Sequence, residues 1–135
     1  MSEQENIQTV KDFYAQFLSG DPEGALTRFL AADIVWENPL PPPIPFGGIF
    51  HGHDHVRRYF QMMLEHVAIK EFPIAEYIAQ GDTVVVLGSE ASLVKTTGHS
   101  YRMDWVHVLR VTDRRIRRVR EYNDTAAMVS AFVHP

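Results

Sequence analysis

The chain contains no cysteine, so disulfides, thiolate nucleophiles and cysteine-ligated metals are excluded. No apolar run approaches the ~18 residues of a membrane-spanning helix. The N-terminal MSEQENIQTV lacks the basic and apolar regions of a secretory leader, and the expectation is a soluble, cytoplasmic protein without a membrane partner. Nor is there an excess of cations: the formal net charge of -4 argues against a general polyanion binder. One segment is locally basic, with Arg110, Arg114, Arg115, Arg117, Arg118 and Arg120. It has neither the lysines nor the glycine-aromatic interleaving of an RNA surface, so no nucleic acid is expected and acidic partners on an outer face are the simpler use. Internal repeats are absent, and the only biased segment is a proline-rich loop.

At 135 residues the chain suits a single domain over 1–135, a size that hides roughly two-thirds of its unfolded surface. Ile7, Val10, Phe13, Tyr14, Phe17 and Leu18 follow helical spacing up to Ser19-Gly20. A second helix starts at once, with Asp21 as N-cap, Pro22 in the first turn, and Leu26, Phe29 and Leu30 as its buried stripe. Asp33 to Asn38 reads as a strand that stops at proline. The loop after it holds Pro39, Pro41, Pro42, Pro43 and Pro45, then Gly47-Gly48, interleaved with Leu40, Ile44, Phe46, Ile49 and Phe50. Such a segment cannot join a sheet and is too apolar for free solvent, which suits a pocket cover.

His51 to His55 opens a third helix whose apolar face is Val56, Tyr59, Phe60, Met63, Leu64 and Val67. Strands follow. One carries Phe72, Ile74 and Ile78, and Gly81-Asp82 turns the chain into Thr83 to Val94. Asp124 caps a closing helix through Phe132. The order αα-β-α-ββββ-α gives an α+β fold, in which a strongly bent antiparallel sheet wrapped around helices closes one deep apolar pocket.

The segment MDWVHVLRVTDRRIRRVREYND carries the chemistry. Alternation puts Trp105, His107, Leu109 and Val111 on one face, and Val119, Glu121 and Asn123 on one face of the returning strand. A three-residue turn near Asp113 to Arg115 pairs Leu109 with Val119, His107 with Glu121 and Trp105 with Asn123. A two-residue turn would set Glu121 against Val106 and needs φ > 0 twice, which Arg resists. In an apolar cavity, desolvation raises a carboxyl pKa and a protonated imidazole lowers it again, so such a pair can exchange a proton with a substrate near neutral pH.

The segments GDPEGALTRFLAADIVWENP, FGGIFHGHDHVRRYF, GDTVVVLG, MDWVHVLRV and REYNDTAA, in that order, resemble the SnoaL-like polyketide cyclases and ketosteroid isomerase relatives of the NTF2-like superfamily. The resemblance implies a cone of curved sheet with one apolar pocket, usually in a homodimer. It matches Glu121 to the cyclases' acid/base carboxylate and His107 to their pocket histidine. Asn38 stands where the isomerase has its proton-abstracting aspartate, and an amide cannot be that base. Tyr14, with Phe13 competing for the slot, is similar to the isomerase's first-helix tyrosine. Against the Arg-Asp-Asp set of limonene-type epoxide hydrolases stand Glu90, Ser92 and Glu121, while Trp36 and Asn38 resemble their water-positioning aromatic and amide.

The resulting expectation is a cofactor-independent acid/base enzyme of isomerase, cyclase or hydrolase type, acting on a small apolar carbonyl- or epoxide-bearing molecule. Glu121 moves the proton, His107 tunes or relays it, and Tyr14 or Asn38 meets the developing oxyanion. Trp36, Trp105, Tyr59, Phe60, Met63 and Phe46 are the expected ligand-gripping wall, with Asn123 orienting a carbonyl or water. The competing expectation is a non-catalytic module of the same fold that binds a small hydrophobic ligand. The HGHDH run, His51 to His55, does not converge on a helix face, so no metal and no cofactor are expected.

Overall fold

The computed structural model describes residues 2–133. The described elements run α1 (Glu3–Leu18), α2 (Pro22–Phe29), β1 (Leu30–Asn38), β2 (Gly48–His51), α3 (Gly52–His66), β3 (Val67–Glu71), β4 (Ile74–Gln80), β5 (Thr83–Val94), β6 (Ser100–Thr112), β7 (Arg115–Asn123) and α4 (Thr125–Phe132). The caps follow local chemistry. Ser2 and Glu5 form a reciprocal capping box on α1, Asp21 accepts from the Gly24 amide ahead of Pro22, and Asp124 accepts from the Ala127 amide. Each satisfies an amide that the first helical turn leaves without a partner.

The sheet runs β2-β1-β7-β6-β5-β3, with β4 also paired to β5. β1 and β7 run parallel, so the curved sheet is mixed and not antiparallel throughout. A tight hairpin forces antiparallel pairing only on strands that follow each other in sequence. β1 and β7 are separated by most of the chain, which leaves their relative direction free.

Several boundaries differ from the sequence reading. β1 begins at Leu30 rather than at Asp33, and Leu30 closes α2 as its C-cap and does not belong to the stripe of that helix. The strand expected through Phe72, Ile74 and Ile78 is divided at Phe72-Pro73 into β3 and β4, because Pro73 has no amide hydrogen for the ladder. Both halves pair with the long β5, β3 against Ala91 to Val94 and β4 against Thr83 to Gly88. Val67 begins β3 and does not belong to the face of α3. The end of the proline loop is also a strand: β2 pairs with β1 at Phe50↔Trp36 and Ile49↔Glu37. Alternation then sends Ile49 outward, 55 % exposed, although it was expected inside. Ile44 and Phe46 are buried, and Phe50 stacks on Tyr59 with ring centres 4.7 Å apart.

The hairpin between β6 and β7 keeps the expected register by a different route. The turn has two residues, Asp113 and Arg114, both at positive φ (52° and 60°), with Thr112 paired to Arg115. A register shift follows between Val111↔Ile116 and Arg110↔Arg118, leaving Arg117 as an extra residue in β7. That bulge restores Leu109↔Val119, His107↔Glu121 and Trp105↔Asn123. The three-residue turn is therefore corrected: strand twist favours the two-residue form strongly enough to hold an arginine at positive φ, and the bulge does the work assigned to the longer turn. Arg117 bonds back to the Thr112 hydroxyl. On the outer face Arg118 and Arg120 both meet Glu37, at 3.2 and 2.5 Å.

Gly88 on β5 lies opposite Trp105. A Cβ there would stand 2.4 Å from Trp105 Cζ2 and 2.8 Å from the Pro73 carbonyl oxygen. Gly88→Ala is expected to destabilise the protein by about 1–3 kcal/mol, as overpacking of a filled core does. Chemical denaturation measures it, and an unchanged midpoint would refute the packing described for Trp105.

Candidate active site

Strand alternation places Trp105, His107 and Leu109 of β6, and Val119 and Glu121 of β7, on the buried side of the sheet, beneath α1 and α3. His107 and Glu121 are 5 % and 8 % exposed. As directly opposed residues they bring His107 Nε2 to 3.5 Å from Glu121 Oε1. Asn123 Nδ2 donates to the same oxygen at 3.3 Å. Oε2 accepts from Trp36 Nε1 at 2.7 Å and from the Tyr59 hydroxyl at 2.5 Å. Trp36 reaches it because the parallel pairing sets Trp36 beside Val119, two residues before Glu121.

Burial pushes the Glu121 carboxyl up, but the hydrogen bond and charge of His107, with the Tyr59 and Trp36 donors, outweigh it and hold the group below its ordinary range. Glu121 is therefore an ionised carboxylate. Tyr59 and Tyr14 are driven the other way: burial first, then the Glu121 charge, raises both phenols well above their ordinary value. Both stay neutral donors near neutral pH.

Tyr14 differs from the expected role. Its hydroxyl lies 2.6 Å from His107 Nδ1, so it is tied to the imidazole. Tyr14, His107 and Glu121 Oε1 form one chain of polar contacts, in which the neutral phenol fixes the imidazole against the carboxylate. Asn38 is engaged too: Nδ2 donates to the Tyr59 oxygen at 2.9 Å, and Oδ1 accepts from Asn123 at 3.1 Å. It sets Tyr59 for Glu121.

A cavity opens over this network. Its volume is about 70 Å³, against the ~10–15 Å³ that one water needs, so it admits several waters or a small organic molecule. Trp36, Asn38, Phe46, Tyr59, Phe60, Met63 and Asn123 line it with Tyr14, His107 and Glu121, as do Phe13, Phe17 and Phe72. Trp105 does not reach the wall and is corrected as a pocket residue. Its indole stacks on Phe72 at 4.6 Å and His107 at 4.2 Å, filling the slot that Gly88 leaves, and its buried Nε1 has no partner among the described residues.

The HGHDH run is spread out by the start of α3. His53 Nε2 is 2.9 Å from the Leu30 carbonyl oxygen, while His51 and His55 face solvent. Among the described residues no three His, Cys, Asp or Glu side chains are grouped to hold a metal ion. No described helix is long and apolar enough to cross a membrane.

Two features go beyond the sequence reading: the donor roles of Trp36 and Tyr59, and the place of Glu90, which the resemblance aligns with an epoxide hydrolase position without assigning it a role. Trp36 and Tyr59, which the sequence assigns to the ligand-gripping wall, are both hydrogen-bond donors to Glu121, a role that depends on contacts across distant segments. The second is Glu90, whose Oε2 accepts from Ser92 Oγ at 2.7 Å and from the Tyr101 hydroxyl at 2.8 Å. Here a signal existed: in TVVVLGSEASLV the inward positions Val84, Val86, Gly88, Glu90, Ser92 and Val94 alternate strictly, which puts a carboxyl on the buried face.

An open, curved mixed sheet packed against helices over one cavity defines the NTF2-like class. The match to known families is specific: residues 10–119 match the SnoaL-like domain, and the chain belongs to that family. It is similar to an NTF2-like protein of Burkholderia xenovorans LB400, with 37 % identity, a TM-score of 0.87, and 98 % of this chain and 99 % of that one covered. An NTF2-like protein of unknown function from Burkholderia pseudomallei K96243 is 31 % identical, with a TM-score of 0.85 over 98 % and 99 % of the two chains. TerC, co-crystallised with polyporic acid, is 26 % identical, with a TM-score of 0.84 over 94 % and 97 %. No curated protein matches the chain.

Proposed function

We propose that the protein is a cofactor-independent acid/base enzyme for a small apolar carbonyl- or epoxide-bearing molecule, with Glu121 as the base. One observation carries this reading: a buried carboxyl group held by four donors lines a cavity walled with aromatic side chains. Of its oxygens, Oε2 is bound tightly and Oε1 only at 3.3 and 3.5 Å, so Oε1 takes the proton. His107, fixed by the neutral Tyr14 hydroxyl at 2.6 Å, stays beside Oε1 and tunes its basicity while the proton rests on Glu121.

The test follows α-hydrogen exchange of β-tetralone in deuterium oxide, and hydrolysis of styrene oxide. Acceleration of either over buffer is expected, and acceleration of neither overturns the reading. One feature favours a second reading, a ligand-binding module: every Glu121 oxygen already has donors, which satisfies the charge without any substrate. Its outcome is binding of β-naphthol or polyporic acid with no exchange and no hydrolysis. Pairing of two copies is part of the proposal. The outer sheet face keeps Val85, Leu87, Val106 and Val108 only half-buried, with Tyr122 exposed. Sedimentation at the monomer mass would remove that element alone.

A further inference from the structure

We propose that Glu90 is the second proton-handling group of the cavity, a general acid that gives its proton to the substrate oxygen while Glu121 removes a proton from carbon. This rests on the reading above. Glu90 lines the same cavity as Glu121, from a different strand. The two carboxyls sit in opposite surroundings. Glu121 has four donors, the His107 imidazole among them, whereas Glu90 has only two neutral hydroxyl donors.

Both of those donors fall on Oε2, which leaves Oε1 as the oxygen that carries a proton. A protonated carboxyl donates from that atom, and the Ser92 and Tyr101 hydroxyls fix the direction of the donation. Burial, the larger effect, with the charge on Glu121, raises the Glu90 pKa against the lowering by Ser92, Tyr101 and His107. Two carboxyls whose surroundings drive them apart are an acid and a base in one site.

Glu90 also borders a second cleft. There Glu71 of β3, Arg102 and Asp104 of β6, and Asp124 before α4 are the charged groups around it.

The step balances within the cavity. The α-C–H bond breaks and its proton bonds to Glu121 Oε1. The electron pair forms the enol double bond, and the carbonyl oxygen takes the proton from Glu90. The proton on Glu121 exchanges with solvent deuterium, and ketonisation then reverses both transfers: Glu90 recovers its proton from the enol O–H and carbon receives a deuteron from Glu121.

The test is the pH profile of β-tetralone exchange for the wild type, Glu90→Gln and Tyr101→Phe, with folding checked by circular dichroism. The wild type should give a bell, rising as Glu121 ionises and falling as Glu90 loses its proton. Glu90→Gln should lower the maximum about 100-fold and abolish the alkaline limb. Tyr101→Phe removes a donor that stabilises the charged form, so it should move that limb to higher pH. Wild-type exchange with an unmoved alkaline limb in both variants, and a rate within threefold of wild type in Glu90→Gln, would make Glu90 a structural group and leave the Glu121 reading standing. A wild type that shows neither exchange nor styrene oxide hydrolysis removes both assignments, whereas hydrolysis without exchange removes only the Glu90 step.

Discussion

Glu121→Gln is expected to slow β-tetralone exchange by about 10²–10⁴-fold, the range of a positioned general base, while the protein remains folded. Glutamine keeps the shape of the side chain. Its amide oxygen can still accept from Trp36 Nε1 and Tyr59, which places the amide nitrogen toward His107 Nε2 and Asn123. The imidazole can adapt by moving its proton to Nδ1 and donating to the Tyr14 oxygen, so that Nε2 accepts from the new amide. Only the Asn123 contact then sets donor against donor. Stability should fall by no more than about 1–3 kcal/mol, and circular dichroism should be unchanged. Exchange within threefold of wild type would end the role given to Glu121.

Tyr59→Phe has the largest expected effect on stability. It deletes the hydroxyl that donates to Glu121 Oε2 at 2.5 Å and accepts from Asn38 at 2.9 Å, with no change in ring packing against Trp36 and Phe50. A hydrogen bond to a buried charge contributes about 1.5–3 kcal/mol, and the stranded Asn38 amide adds its own desolvation cost. The sign of the pH dependence follows from the carboxyl. The folded pKa of Glu121 is depressed, so its ionised form contributes stability above the ordinary carboxylate range and loses it as pH falls through the lowered value. The variant gives up part of that contribution. Its deficit should be largest at neutral pH and shrink in acid. A deficit equal at both, in urea unfolding, would show that Tyr59 does not support the charge.

How much of this was readable in the residues depends on how local each cause is. Helix ends were legible because Asp21, Pro22 and Asp124 act on amides a few residues away. The pairing of His107 with Glu121 was legible because alternation fixes faces once one hairpin register is known. The turn itself was misjudged: a local preference against positive φ at Arg114 was weighed without the bulge at Arg117, which offsets the shorter turn one step along the strand. The parallel contact of β1 with β7 leaves no local trace at all. The roles of Trp36 and Tyr59 follow from it and from the docking of α3, so their side chains could be recognised as buried but not as donors. Trp105 shows the converse, since its removal from the cavity wall depends on the missing side chain of Gly88 across the strand pair.

The most direct measurement is an NMR titration of the protein with glutamate labelled at the carboxyl carbon, Glu121 being assigned through Glu121→Gln. Glu121 should titrate below the ordinary glutamate value of ~4.3, and Tyr59→Phe should move it upward. A wild-type Glu121 that titrates at or above the ordinary value would contradict the account, because the donors around it would then not be holding its charge.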